Sequence, residues 1–251
     1  MHLLALDIGN SGLHLGALCD HRLRWHARLA GGRAERVGSW LRMVLERQGE
    51  PVPGWAVFST VVPALEAPAR RALQEVAGRV LQVRGDSPVG LVNGYRDPAS
   101  LGADRLAAAV GAYRLVGGPV IVADIGTAIT VDAVSAAGEF LGGAILPGPR
   151  TGLQALQGAT ARLQAPRRLR PALPGRSTEE CLAAGARWGP LGAIRELAAR
   201  LRRVVGAQAP LVLAGGAARE LARQLPEARL EPHLVLLGLA YCLDALAPDA
   251  R

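Results

Sequence analysis

Residues 121–134, IVADIGTAITVDAV, read as a buried strand, a tight turn and a returning strand. The apolar run leads into Asp124, and Gly126 allows the turn either a positive φ or a close approach to a ligand. Thr127 places a hydroxyl beside backbone N–H groups. Because a carboxylate at the end of a buried strand is costly unless it is paired, we expect Asp124 to hold a cation.

A second stretch, residues 3–17 (LLALDIGNSGLHLGA), has the same form. Aligning Asp7 with Asp124 superposes Asp-Ile-Gly in both copies and places Asn10 opposite Thr127. Two copies of strand, Asp-x-Gly, turn and strand predict two similar halves that face each other across a cleft.

The composition limits the class of protein. A chain of 251 residues forms one large domain or two small ones. Half of the residues are hydrophobic and 4% are aromatic, so the core must consist mainly of Leu, Val and Ala. All 29 basic residues are Arg. A Walker A loop requires a Lys, so the composition excludes a P-loop nucleotide site.

The formal net charge of +8 has two interpretations. It could attract anions such as nucleotides, phosphate or nucleic acid, or it could reflect solvated, Arg-rich helix faces. No compact basic run is interleaved with aromatic residues, so the second interpretation is favoured and a nucleic-acid partner is not expected.

The cysteines and the apolar runs bear on the compartment. Cys19, Cys181 and Cys242 are odd in number and widely scattered, which fits neither a disulfide framework nor a metal cluster. This favours a reducing, cytoplasmic environment. No signal peptide and no membrane-spanning segment is expected from the short apolar N-terminal run or elsewhere.

The order of predicted elements divides the chain at Gly117-Gly118-Pro119, giving domains 1–117 and 118–251. In the first domain we predict three strands followed by alternating helix and strand, which resembles one half of a ribonuclease-H-like unit. The last predicted helix, residues 233–246, is apolar on most sides and should be buried, with a dimer interface as one possible location. The predicted strands are 3–6, 13–18, 22–29, 55–62, 80–83, 119–134, 139–145 and 210–213, and the other helices are 35–48, 64–77, 101–115, 151–163, 177–186, 191–205 and 217–224.

Four short motifs carry a family resemblance. Each is unspecific by itself, but together they follow the order found in the type III pantothenate kinases, and the resemblance runs nearly end to end. That family belongs to the acetate kinase, sugar kinase, Hsp70 and actin superfamily. The motifs are residues 7–11 (DIGNS), 102–105 (GADR), 124–128 (DIGTA) and 142–148 (GGAILPG).

The resemblance implies an α/β fold of two ribonuclease-H-like (actin-like ATPase) domains, each with a mixed sheet, and a cleft between them. It implies ATP-dependent phosphorylation of pantothenate to 4′-phosphopantothenate, the first step of coenzyme A biosynthesis, by a cytoplasmic homodimer. Two alternatives stay open: a kinase for another small alcohol, and a transcription accessory or nucleic-acid-binding relative without kinase activity.

The first motif suggests a phosphate site. A Gly-rich turn exposes successive N–H groups that suit phosphate oxygens. Asp7 can face phosphates only across a cation, so we expect it to hold Mg²⁺, largely through water. The alternative is an ordinary hairpin with a capping Asp. The resemblance implies that ATP is bound by Asp7, Ile8, Gly9, Asn10, Ser11, Gly12, Leu13, His14 and Thr127.

The resemblance also places a monovalent cation, K⁺ or NH₄⁺, at Asp124. A carboxylate in a carbonyl-rich turn suits a weakly hydrated ion, although residue chemistry by itself leaves a second Mg²⁺ open. Asp132 is interpreted as a satisfied strand carboxylate. Residues 213–217 (LAGGA) resemble the adenosine motif of the superfamily, in which glycines allow adenine or ribose to lie against backbone.

Asp104 is the candidate general base, because phosphoryl transfer to an alcohol requires a group that accepts the hydroxyl proton. Arg105 could hold an anionic group of the substrate, and pantothenate carries a carboxylate. Without the resemblance, the two residues would be an ordinary pair at a helix start. The resemblance implies that pantothenate is bound by Tyr95, Gly102, Ala103, Asp104, Arg105 and Thr178, the last from the partner subunit.

Tyr95 could pack on the pantoyl methyl groups or be an ordinary loop aromatic, and Thr178 could also be a helix cap. The chain departs from the family pattern at Ser11-Gly12, Ile129 and Gln164. None of these departures removes a candidate carboxylate.

Overall fold

The first sheet contains five strands in the order β3-β2-β1-β4-β5. β2 is antiparallel to β1 and β3, whereas β1-β4 and β4-β5 are parallel pairs. This mixed order is that of a ribonuclease-H-like half, as predicted. The computed structural model describes residues 2–31, 34–49, 52–160, 163, 166 and 170–250, so Gln164 lies outside the described residues. The strands are β1 (His2–Gly9), β2 (Gly12–Cys19), β3 (Arg22–Ala30), β4 (Trp55–Thr60) and β5 (Arg79–Val83).

Alternation along β1 directs its residues to two faces, both of which are apolar and buried along most of the strand. Leu4, Leu6 and Ile8 point into a core that is covered by helices α1 (Ala34–Gln48) and α2 (Pro63–Gln74). Because successive strand residues point to opposite faces, Asp7 lies on the face away from that core. The edge strand β3 alternates between exposed and half-buried residues, as expected for a strand with a neighbour on one side only.

Two local signals explain where the next helices begin and end. Pro63 is the first residue of α2, where a missing N–H has no cost, and the helix ends at Gln74 rather than at residue 77 as predicted. Helix α3 (Ala103–Val116) ends at Gly117, whose φ of 76° is the left-handed conformation typical of a helix C-cap.

The second sheet repeats the same strand order. Strands β6 (Val92–Asn93), β7 (Val120–Ile125), β8 (Ala128–Val134), β9 (Glu139–Pro147), β10 (Leu211–Ala214) and β11 (Arg229–Leu230) form the order β11-β10-β7-β8-β9-β6. When β6 is left out, the second sheet has the same order as the first: β7 takes the position of β1, and β8, β9, β10 and β11 take those of β2, β3, β4 and β5. The duplication that the two Asp-Ile-Gly motifs predicted is confirmed.

Helix α5 (Thr178–Val205) is continuous where two helices, 177–186 and 191–205, were predicted. That prediction was wrong because Pro190 lies inside the helix instead of ending it. A Pro inside a helix costs about 3 kcal/mol. Buried residues occur on both sides of Pro190, among them Ala184 and Leu191, so packing along the whole helix offsets this cost. The other helices that follow β9 are α4 (Pro149–Ala159), α6 (Ala218–Ala222) and α7 (Leu234–Leu246).

The chain divides into two units that differ from the predicted domains at residues 134–142 and at the C-terminus. The first unit is Met1–Gly118 with Val134–Gly142 and His233–Arg251, and the second is Pro119–Ala133 with Gly143–Pro232. The division after Gly118 lies one residue from the boundary at 117. Helix α7, however, groups with the first unit because it packs against α3, β1 and β2. Its apolar surface is therefore covered within one chain.

The cysteines and the helices bear on two further expectations. Cys19, Cys181 and Cys242 all carry free thiols. Among the described residues, none of the helices has both the length and the apolar character needed to cross a bilayer.

The contact between α3 and α7 depends on glycine. A Cβ atom at Gly238 would lie 1.8 Å from the carbonyl oxygen of Ala107, and one at Gly111 would lie 2.9 Å from that of Leu234. The two helix backbones therefore touch directly, and this contact holds the C-terminal helix on the first unit.

We expect Gly238→Ala to lower the free energy of unfolding by about 2–3 kcal/mol, because the new methyl group forces the two backbones apart. The measurement is equilibrium unfolding in urea. Gly192→Ala is the control, since a Cβ at this helical position meets no atom within 4 Å. It should stabilise the protein by about 0.5–1 kcal/mol. Equal stabilities for the two variants would contradict the contact.

Candidate active site

Asp7 is fixed by a buried serine on the neighbouring strand. In the register of the first sheet, Asp7 pairs with His14 on β2 and with Ser59 on β4. The Ser59 hydroxyl donates a hydrogen bond to Oδ1 of Asp7 at 2.8 Å, and Ser59 is fully buried. Sequence reasoning missed Ser59, although the hydroxyl residues Ser59 and Thr60 at the end of the apolar strand WAVFST were a signal.

The turn after Asp7 is a two-residue hairpin held by the third strand. Gly9 pairs with Gly12, and the exposed Asn10 and Ser11 form its tip. A Cβ at Gly12 would lie 2.3 Å from the carbonyl oxygen of Leu29 on β3, so only glycine fits there. The close approach of β3 therefore explains why glycine occupies position 12, where the chain departs from the family pattern.

His14 is neutral in this environment. Burial, then the positive charge of Arg28, then His233 and His26 lower the pKa of its imidazole to about 4. Arg28 is the register partner of His14 on β3. Near pH 7 the positive charge of the His14–Arg28 pair is therefore carried by Arg28.

Asp104 and Arg105 form the first turn of α3. Oδ1 of Asp104 accepts a hydrogen bond from the backbone N–H of Arg105 at 2.8 Å, which orients the carboxylate. A Cβ at Gly102 would lie 2.6 Å from the same oxygen, so glycine makes room for this orientation. Nη1 of Arg105 donates to the hydroxyl oxygen of Tyr95 at 2.6 Å. The structure thus brings together the predicted residues 95 and 102–105.

In the second unit, Asp124 is the last but one residue of β7 and lies next to the glycine turn that follows β10. Ala214 is the register partner of Asp124, and a Cβ at Gly215 would lie 2.3 Å from Oδ1 of Asp124. The N–H of Ala217 donates to the carbonyl oxygen of Ile125 at 3.0 Å. The candidate cation ligand and the resembled adenosine motif are therefore packed against each other.

Thr127 lies exposed in the β7–β8 turn, which the fourth motif braces. Its carbonyl oxygen accepts hydrogen bonds from the N–H of Gly148 at 2.9 Å and from the Thr151 hydroxyl at 2.6 Å. A Cβ at Gly148 would lie 2.1 Å from the carbonyl oxygen of Gly126. Sequence reasoning identified both motifs but did not predict this contact.

Two remaining predictions concern single residues. Thr178 is the exposed first residue of α5, and the cap is Ser177, whose side chain accepts the N–H of Glu180. The alternative role of Thr178 as a helix cap was therefore wrong. Asp132 is 2% exposed, as expected for a strand carboxylate inside the protein.

Comparisons with known proteins identify the family of this chain. The sequence model of the type III pantothenate kinase family matches residues 3–200. The chain belongs to the type III pantothenate kinase family. The type III pantothenate kinase of Moorella thermoacetica is 36% identical over 249 residues, covering 94% of this chain and 96% of that protein. The one from Thermomicrobium roseum is 37% identical over 261 residues, covering 97% of each.

Solved structures show that the fold is shared more widely. A Campylobacter jejuni protein, described as a Baf family transcriptional activator, has a TM-score of 0.64 at 21% identity, covering 98% of this chain and 99% of its own. A ROK family glucokinase from Streptomyces griseus has a TM-score of 0.54 at 15% identity, covering 96% and 98%. At these identities the likeness concerns the fold alone. The α/β fold with two mixed sheets is thus shared with ROK sugar kinases.

The environment of His14 predicts an unusual titration. We expect its ring protons, followed by NMR, to titrate with a midpoint near pH 4, and Arg28→Gln to raise that midpoint by removing a nearby positive charge. The pKa of His14 in the folded protein lies below the ordinary histidine value of 6.5. As the pH falls, the unfolded chain therefore binds this proton at a higher pH than the folded chain does. The free energy of unfolding should consequently decrease as the pH drops from about 6.5 to 4. The loss should be smaller in His14→Gln, and a midpoint near 6.5 in the folded protein would contradict the burial of the ring.

Proposed function

We propose that this protein transfers the γ-phosphoryl group of ATP to the primary hydroxyl of pantothenate, giving 4′-phosphopantothenate and ADP in the first step of coenzyme A biosynthesis. The match to the family over nearly the whole chain is the observation that carries this proposal. The local geometry at Asp104 and Arg105 supports it, since an oriented carboxylate and a guanidinium begin the same helix.

Asp104 serves as the general base. A carboxylate suffices for this role, because the hydroxyl proton is transferred as the new bond to phosphorus forms. Asp104 lies in the first turn of α3, where the positive end of the helix dipole stabilises its negative charge. Arg105 binds the carboxylate of pantothenate, and Tyr95 contacts the guanidinium that does so.

The β1–β2 hairpin binds the phosphates of ATP. Its exposed tip at Asn10 and Ser11 presents backbone N–H groups, and Ser59 fixes the carboxylate of Asp7 behind it. No group of three or more His, Cys, Asp or Glu that could hold a metal ion occurs among the described residues. A divalent ion such as Mg²⁺ would therefore be held by Asp7 largely through water and by the phosphates, whose charge it neutralises.

Asp124 binds the monovalent cation, K⁺ or NH₄⁺, in the second unit. The close packing of Gly215 on its carboxylate and on the carbonyl of Ile125 supports this assignment, because carboxylate and carbonyl oxygens suit a weakly hydrated ion. Thr127 contributes to ATP binding from the next turn. The glycines after β10 let adenine or ribose lie against backbone.

The protein is proposed to act as a cytoplasmic homodimer, with Thr178 of one subunit completing the pantothenate site of the other. The exposure of Thr178 at the start of α5 is compatible with this role. Nucleic-acid binding is not proposed, because the likeness to the Campylobacter jejuni protein concerns the fold only.

The test of the base is Asp104→Asn in a coupled assay that follows ADP formation with pantothenate present. We expect an unchanged melting temperature and a loss of turnover of about 10²- to 10⁴-fold, because the amide does not accept the proton. Asp97→Asn is the control, since Asp97 is exposed and makes no side-chain cap. Full activity in Asp104→Asn would remove this residue as the base.

The proposed monovalent-cation site at Asp124 can be tested in a second assay. Replacing K⁺ by a bulky organic cation should slow the wild-type enzyme, and Gly215→Ala should reduce this dependence because the methyl group would press on the carboxylate of Asp124. Gly158→Ala is the matched control, since a Cβ there meets no atom within 4 Å. A Gly215→Ala enzyme that responds to K⁺ like the wild type would argue against the site at Asp124.

A further inference from the structure

The guanidinium of Arg105 lies against two aromatic rings. Its Cζ is 5.5 Å from the ring centroid of Tyr95 and 5.7 Å from that of Phe140. The two ring centroids are 5.6 Å apart with planes tilted by 51°. These distances are within the range of cation–π attraction. Nη1 also donates to the Tyr95 hydroxyl, so one cation has two contacts with the same ring system.

The two rings are themselves fixed by backbone contacts. Asn93 is the register partner of Phe140, and the N–H of Gly94 donates to the Phe140 carbonyl oxygen at 3.0 Å. The N–H of Tyr95 donates to Oδ1 of Asn93 at 3.0 Å. A Cβ at Gly142 would lie 3.0 Å from Cε1 of Tyr95, so β9 also limits the tyrosine ring from the side of Gly142. The short pairing of β6 with β9 therefore sets where the tyrosine ring lies.

Phe140 is fully buried, and its ring has little freedom to move. A long arginine side chain normally loses rotamer entropy when it binds a ligand. A guanidinium that already lies against two fixed rings has lost this rotamer entropy before the ligand binds. Because arginine recognises carboxylates through a planar fork of N–H donors, the orientation of its plane decides how well it binds.

We propose that Phe140 is a positioning residue for substrate recognition. Together with Tyr95 it orients the Arg105 guanidinium toward the substrate carboxylate, and this gives the enzyme its preference for an acid over an uncharged analogue. The inference rests on the proposed function, because it assumes that Arg105 binds the carboxylate of pantothenate.

A purely structural role for Phe140 can be separated from this one by a matched residue. Phe58 is also fully buried in the first unit, and the guanidinium of Arg70 lies 5.2 Å from its ring centroid. Phe58 belongs to the core under α1 and α2 and not to the group formed by residues 95, 105 and 140. Replacing either phenylalanine by methionine removes a buried ring but keeps most of its volume.

The experiment compares Phe140→Met and Phe58→Met with two alcohols, pantothenate and pantothenol, in which a hydroxyl replaces the carboxylate. We expect Phe140→Met to raise the KM for pantothenate by about 3- to 30-fold. Its KM for ATP, its kcat and its KM for pantothenol should stay within about twofold of the wild type. Phe58→Met should lower the melting temperature without changing the KM for either alcohol.

Three results would overturn the inference. The first is a Phe140→Met enzyme with the same KM values as Phe58→Met, and the second is an equal rise in KM for both alcohols. A wild type that phosphorylates neither alcohol would overturn the proposed function and this inference with it, so the two failures are distinguishable. If Phe140→Met does not fold, Tyr95→Leu removes the other ring at a half-buried position. Tyr95→Leu should then raise the KM for pantothenate more than the KM for pantothenol, whose pantoyl methyl groups the same ring could contact, and an equal rise for both alcohols would count against the aromatic frame.

Discussion

The placement of one carboxylate near the carboxyl end of a central strand in each sheet, Asp7 on β1 and Asp124 on β7, is the constraint on which the candidate site depends. β1 and β7 are both central strands whose apolar residues are buried up to that point. A carboxylate there must be compensated. In the first unit Ser59 donates a hydrogen bond to Asp7, and in the second unit the turn at Gly215 packs against the carboxylate of Asp124. Each contact fixes the orientation of an acid that faces away from the apolar core.

Short-range patterns made most of the fold predictable. The apolar alternation of the strands and the repeated Asp-Ile-Gly motif indicate a doubled sheet, and the strand order in both sheets agrees with it. The predictions of secondary structure and domains that were wrong or missing depend on contacts between residues that are distant in the sequence. β6 has two residues and exists because β9 pairs with it. Helix α5 continues through Pro190 because residues on both sides are buried, and α7 joins the first unit because glycines let it approach α3.

The same distinction applies to the candidate site. Motifs identified the residues that carry chemical groups, such as Asp104 and Arg105, because these groups follow one another along the chain. The residues that orient them were not identified, because Ser59 and Phe140 act from other strands. Their roles depend on register, and the sequence does not reveal which residues become cross-strand partners. The two glycines at 148 and 215 were recognised as parts of motifs, but the atoms they approach belong to distant segments.

Because the chain contains no lysine, its cationic side chains depend on contacts that orient them. Apart from the N-terminus and any protonated histidine, each positive charge of the chain is a guanidinium, which binds best when its plane is aligned with its ligand. At Arg105 two aromatic rings and a hydroxyl supply that alignment. Beside Asp7 the imidazole of His14 is neutral near pH 7, so it adds no charge there. Near pH 7 the positive charge of the His14–Arg28 cross-strand pair is therefore carried by the guanidinium of Arg28, the register partner of His14 on β3.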